Sequence, residues 1–464
     1  MRNNLGVAAH LMTISVLCLL FFQFTAAQNA TLQSAQQIAA KIGEYMNAAV
    51  DTDDFSGSVL VARDGQTIFN KSYGLANTEL GVSNTPQTVF RIASISKPFT
   101  ATAIMMLQER GKLNIGDPIC IYLADCPAAW QSITIKHLLT HTSGIADYLY
   151  FPDFQSTIAL PVSHERMIAS FKNKPLNFAP GTKFAYSNSG YYLLAVIIES
   201  ASGKTYAEFL QENIFARLGM KQTGHFDDRE IVRNRADGYS LKDDRPANAL
   251  YFHPSQLLGT GSLWSTTEDL FLFDQALYTE KLLEGKTLAE MFGQKQADYG
   301  YGWQVAPLFG RRLVAHGGDT FGFMGVLQRF TDDRVTVVLL SNKGYMNILT
   351  LARDLPAIVF GEKYQLPKKP TAFAVGEKIL NQYVGEYRLS ENTVFTITLE
   401  DGKLMIQNSS NTRPKGALFA ESETTFRRAG VDATFTFERD AGGHVTKIVI
   451  RNVNGLTTSA QKTK

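Results

Sequence analysis

Cysteine is scarce in this sequence, three in 464 residues, so no disulfide framework can hold a fold of this length. One of the three, Cys18, lies in the N-terminal apolar run; the other two, Cys120 and Cys126 in "PICIYLADCP", leave open a local disulfide or two free thiols. Neither has neighbours spaced as zinc ligands, and H-E-x-x-H does not occur, so no metal and no cofactor is expected. An excess of one charge is also missing. The 45 Lys+Arg against 43 Asp+Glu give a net +2 without a long basic run, which excludes a nucleic-acid footprint and points to a small-molecule or peptide substrate. A hydrophobic content of 45% excludes a disordered chain.

Long apolar runs are limited to the N-terminus. Arg2 precedes a mostly apolar stretch from Val7 to Phe24, and Thr25-Ala26-Ala27 offers the small residues that a signal peptidase requires. The run is short for a bilayer and His10 interrupts it, so residues 1–27 are expected to be a cleaved signal peptide, leaving no stable membrane span. The chain is therefore expected to be exported, to the periplasm or the exterior. Leu17 does not suit a lipoprotein cleavage box before Cys18, and no lipid anchor is expected.

What is present divides into a long mixed region and a short all-β one. After a helical stretch from Ala35 to Val50, "FSGSVLVARDGQTIFNKSYG" reads as two strands turning at Asp64-Gly65. Helical patterns dominate from Ser96 to Phe292, with breaks at Gly144, Pro180-Gly181 and Gly259 to Gly261. Strands return in "RRLVAH", "FGFMGVLQRF" and "RVTVVLLSN" before a last helix. Strands at both ends of a helical middle imply one sheet closed by distant parts of the chain. The prolines and paired lysines of "GEKYQLPKKPTAF" mark a linker over residues 363–375. Beyond it, Phe395, Ile397 and Leu399 alternate with Thr396 and Thr398, and residues 376–464 read as a small antiparallel barrel or sandwich.

Within "FRIASISKPFTATAIMMLQERGKL", Phe99, Ala103, Met106 and Leu107 recur at helical spacing, and Gln108 and Glu109 take the opposite side. Ser94 and Lys97 stand at i and i+3 at the start of this helix, so an amine can lie beside a hydroxyl near unpaired backbone N–H groups. S-x-x-K alone is weak: a second occurs at Ser459 to Lys462, and serine also simply caps helices. Order decides. Tyr186-Ser187-Asn188 follows a Pro-Gly turn, and His316-Gly317-Gly318 ends a strand. Tyr45-Met46-Asn47 and Tyr345-Met346-Asn347 also fit Y-x-N but fall outside the interval between Ser94 and the glycine pair.

These elements resemble the serine hydrolases of the β-lactamase and penicillin-binding family, whose class C members use S-x-x-K, Y-x-N and K-T-G in that order. The likeness runs from Phe55 to Gly361 and takes in "HLLTHTSGIADY" and "GTGSLWSTTEDL". It implies an α+β fold, an antiparallel sheet flanked by helices plus a helical subdomain over residues 28–362, followed by the small all-β domain. It further implies that Ser94 forms an acyl-enzyme while Lys97 and Tyr186 share its proton, with the general base open between them. Asn188 would orient Lys97 and the substrate amide, and the backbone N–H groups of Ser94 and Asp319 would form an oxyanion hole. Gly317 and Gly318 would let a substrate approach the strand backbone. His316 replaces the lysine of class C β-lactamases, so a peptide or D-amino-acid-containing substrate stands ahead of a β-lactam; the alternatives are a carboxylesterase, a β-lactamase, or a catalytically silent protein that binds cell-wall fragments. An unperturbed histidine titrates near 6.5, so His316 is expected to hold a substrate carboxylate in a pH-dependent way.

Overall fold

The computed structural model describes residues 35–463, apart from 53–54, 226–228, 243–244, 294–295, 347, 369–372, 391–392, 410–414, 429–430, 432 and 453–456. The expected signal segment lies outside the described residues. No described helix is long and apolar enough to cross a membrane.

A six-stranded antiparallel sheet organises the first part of the chain. Its order is Gln304–Leu308, Arg311–Thr320, Phe323–Phe330, Val335–Ser341, Gly57–Arg63, Gln66–Tyr73, so the first hairpin closes against strands from nearly 300 residues later. Asp64 and Gly65, with φ of 52° and 75°, make the hairpin turn in the left-handed conformation that such a two-residue loop requires. Successive side chains of a strand face opposite sides, and both sides here are covered. Val59, Val61, Val337 and Leu339 pack under the helices at 35–51 and Ile348–Phe360; Leu60, Ala62, Val338 and Leu340 face the helical subdomain.

The helix Ser96–Glu109 is the centre of that second layer. Every residue from Ser96 to Leu107 is buried, so the expected split into an apolar and a polar face gives way to burial all round, with Gln108 and Glu109 belonging only to its end. Phe99 stacks on Phe273 at 4.0 Å, and the helix Asn188–Ser202 packs alongside. Cys120 and Cys126 are joined as a disulfide with Cα atoms 5.3 Å apart, which settles the two alternatives left by the sequence.

After the linker, eight antiparallel strands from Gly385–Ser390 to Thr457–Lys462 close into a barrel, with Tyr387 opposite Lys462 at the seam. The alternation of "TVFTITLE" sends Phe395 and Ile397 inward, where they meet Leu404, Ile406, Phe437 and Ile448. The helix Glu377–Tyr383 completes this core by stacking Tyr383 on Phe437 at 4.2 Å. The barrel and the sheet part therefore have separate apolar cores. A chain ending at Lys368 is expected to stay soluble and to melt in one cooperative transition followed by circular dichroism. A shortened chain that is insoluble, or has no thermal transition, would contradict independent folding.

Candidate active site

Ser94 lies in a single helical turn, Ala93–Ile95, that leads directly into the helix Ser96–Glu109. Ala93 adopts φ +47°, a conformation uncommon for a residue with a Cβ, and this sharp entry leaves Ser94 partly exposed between buried neighbours. Strand Arg311–Thr320 presses against the turn from the other side. A Cβ on Gly318 would sit 2.2 Å from the carbonyl oxygen of Ile92, so glycine is required there by the serine turn itself. At Gly317 the nearest atom to such a Cβ is 3.8 Å away, so packing does not require glycine there.

Lys97 is fully buried one turn further on. Its Nζ donates to Ser94 Oγ at 3.0 Å, to Asn188 Oδ1 at 2.8 Å and to the backbone carbonyl of Thr260 at 3.0 Å. The rings of Tyr186 and Tyr191 cover it, their centroids 4.8 and 5.6 Å away. Burial pushes the amine down to about 7, against the opposing pull of the Asp147 carboxylate.

The segment Tyr186-Ser187-Asn188 is clamped by "HTSGIAD". His141 Nδ1 accepts from the backbone N–H of Ser187 at 3.0 Å, Ser187 Oγ donates to the carbonyl of Ile145 at 3.1 Å, and the same oxygen caps the helix Asn188–Ser202. The His141 ring lies against that of Tyr186, centroids 4.3 Å apart, and burial holds it well below its ordinary pKa. Asp147 Oδ2 accepts from both the backbone N–H and the side-chain Nδ2 of Asn188, at 3.1 and 2.8 Å. Burial raises the hydroxyl of Tyr186 above its usual pKa, while a hydrogen bond with Ser94 works the other way.

His316 is buried, with both ring nitrogens engaged. Nδ1 donates to the carbonyl of Gly317 at 2.6 Å, which leaves Nε2 to accept from the Tyr299 hydroxyl at 2.9 Å. Burial first, and the nearby Lys97 charge second, push it down to about 3. The expected titration near 6.5 is therefore moved to lower pH, because desolvation favours the neutral ring. Gly317 and the exposed Asp319 follow on the same strand.

Ser94, Lys97, Tyr186 and Asn188 are brought together in one hydrogen-bonded cluster, and Gly318 joins them through the serine turn. Sequence reasoning gave no role to His141, Asp147, Thr260 or Tyr299. The first three lie in or beside the stretches "HLLTHTSGIADY" and "GTGSLWSTTEDL", whose likeness to the family was the only signal available for them.

A model of the beta-lactamase family matches residues 41–355, and one of a domain of unknown function (DUF3471) matches residues 369–463. Penicillin-binding protein 4* of Bacillus subtilis is 34% identical over 445 residues, covering 88% of this chain and 95% of that protein. Teichoic acid D-alanine hydrolase of Staphylococcus aureus is 28% identical over 312 residues, 66% of this chain and 74% of its own. Among solved structures, the octameric penicillin-binding protein homologue from Pyrococcus abyssi superposes with a TM-score of 0.64 at 25% identity, covering 91% of this chain and 99% of that one. Matched along most of its length by the family's own model and by a penicillin-binding protein, this chain belongs to the beta-lactamase family of serine hydrolases.

Proposed function

We propose that this chain is an exported acyl hydrolase that uses Ser94 as nucleophile and Lys97 as its general base, and that it cleaves esters or amides of small D-amino acids. One observation carries the assignment of the base. Asn188 Oδ1 and the Thr260 carbonyl can only accept hydrogen bonds, so when the Lys97 amine is neutral its two N–H bonds are engaged by them and its lone pair faces Ser94 Oγ. Lys97 takes the proton as Ser94 Oγ bonds to the substrate carbonyl carbon. Tyr186 then relays that proton to the leaving oxygen or nitrogen as its bond to the carbonyl carbon breaks. Water releases the acyl group by the same route in reverse, and the backbone N–H groups of Ser94 and Asp319 bind the transient oxyanion.

The substrate class follows from the third element. A neutral His316 and a Gly317 without a hydroxyl offer no charge or side-chain donor to a substrate carboxylate, which favours an ester or amide over a peptide ending in a free carboxylate. The hydrolase named for teichoic acid D-alanine among the relatives supports an acyl group of this kind. The N-terminal apolar segment and the Cys120–Cys126 disulfide support export to an oxidising compartment.

With D-alanyl esters, D-alanyl anilides and D-Ala-D-Ala peptides compared on one preparation, kcat/KM is expected to be highest for the first two; a preference for the carboxylate-ended peptide would overturn the substrate reading. Ser94→Ala is expected to abolish turnover and labelling by a fluorophosphonate, and Ser459→Ala to change neither. Labelling that survives in Ser94→Ala would remove it as nucleophile.

Because Lys97 acts only when neutral, kcat/KM for an uncharged ester is expected to rise with pH through about 7 and then level off. His316 has already lost its proton at about 3 and adds no limb near neutrality. A profile flat or falling between about pH 5 and about 8 would contradict a lysine base.

A further inference from the structure

We infer that Asp147 is a positioning residue which, acting through Asn188, keeps the proton-accepting side of Lys97 turned towards Ser94. The inference rests on the reading of Ser94 as nucleophile and Lys97 as base.

An asparagine side chain has one accepting and one donating end, and only one of them can face a given neighbour. Asn188 gives Oδ1 to Lys97 Nζ at 2.8 Å and Nδ2 to Asp147 Oδ2 at 2.8 Å. The same carboxylate oxygen takes the Asn188 backbone N–H at 3.1 Å, so Asp147 grips this residue at two points. Asp147 is itself fixed from the other side: its Oδ1 accepts from the backbone N–H of Leu149 at 3.1 Å and caps the short turn Tyr148–Tyr150. Three N–H groups thus converge on a carboxyl group that is buried. Burial, the largest effect, leaves its pKa raised against the opposing pull of these three hydrogen bonds and of Lys97; with all three N–H groups aimed at its oxygens, the carboxyl group meets them as an acceptor.

The consequence for Lys97 is directional. With an acceptor-only carboxylate behind it, the Asn188 amide can present only its oxygen to the amine. Were the amide reversed, its NH2 group would face Nζ, and a neutral amine would use its lone pair to accept that N–H instead of the Ser94 proton. Thr260 could not prevent this, because a carbonyl fixes one N–H bond of the amine and leaves rotation about it free. Asp147 also acts through space. The groups around Lys97 are the phenols of Tyr186 and Tyr191, the imidazoles of His141 and His316, both held neutral by burial, and Asp147, whose negative charge favours the ammonium form.

The test uses p-nitrophenyl acetate with the full chain and its variants Asp147→Asn, Asn188→Ala and the pair combined. Asp147→Asn preserves size and the cap on Leu149 but removes the charge and introduces a donor. It is expected to lower kcat by between about tenfold and about a hundredfold with little change in KM. Its acid limb is expected to move to lower pH, because the anion that favoured protonated Lys97 is gone. In the Asn188→Ala background the same substitution should lower kcat little further, since both act on one arrangement. If Asp147→Asn does not fold, Asp147→Ser, which still caps Leu149 without charge, is read in the same way. An unmoved acid limb together with additive losses would make Asp147 a fold-holding cap and overturn the inference. A wild-type chain that does not label at Ser94 would overturn the reading beneath it; with a labelled wild type, the unmoved limb and additive losses overturn the inference alone.

Discussion

The structure depends on one constraint: an amine held without access to water. Lys97 sits within the buried part of its helix, where desolvation disfavours its charge, and all three hydrogen positions of its ammonium form have acceptors. Such a group is tolerable only if its surroundings are rigid and complete. The close approach of strand Arg311–Thr320 at Gly318, the left-handed Ala93 that delivers Ser94, and the clamp of "HTSGIAD" on Tyr186 to Asn188 each fix one side of it. Both the central sheet, drawn from the two ends of the first 360 residues, and the helix behind it serve that rigidity.

The same desolvation explains the character of the third element. His316, which stands where the resemblance to class C β-lactamases implies a lysine, is held neutral by burial and bonded to Tyr299 and the Gly317 carbonyl. A second cation that close to Lys97 would be unfavourable in a site this dry. His316 thus brings no second charge beside Lys97, and both of its ring nitrogens are spent on protein partners.

Much of this was legible in the sequence. The hairpin at Asp64-Gly65 and the alternating Phe395 and Ile397 obey local rules, and the order of Ser94, Tyr186 and His316 separated the site from look-alikes at Tyr45, Tyr345 and Ser459. What escaped is what depends on burial or on backbone atoms. Thr260 contributes a carbonyl, which every residue has; Asp147 looks like a turn residue; His141 works through a ring nitrogen aimed at a backbone N–H. Periodicity suggested an amphipathic helix at Ser96 because local pattern does not report how many layers surround it, and the downward shift of His316 by burial escaped for the same reason.

The central claim, that Lys97 is an amine poised to be neutral, can be read directly by nuclear magnetic resonance of the lysine side chains followed through a pH titration. Comparison with Lys97→Met assigns the resonance. One lysine is expected to titrate near 7, with exposed lysines near the usual value of about 10.4. If the Lys97 resonance instead titrates with the exposed ones, the residue is a permanent cation at neutral pH and cannot be the base that activates Ser94.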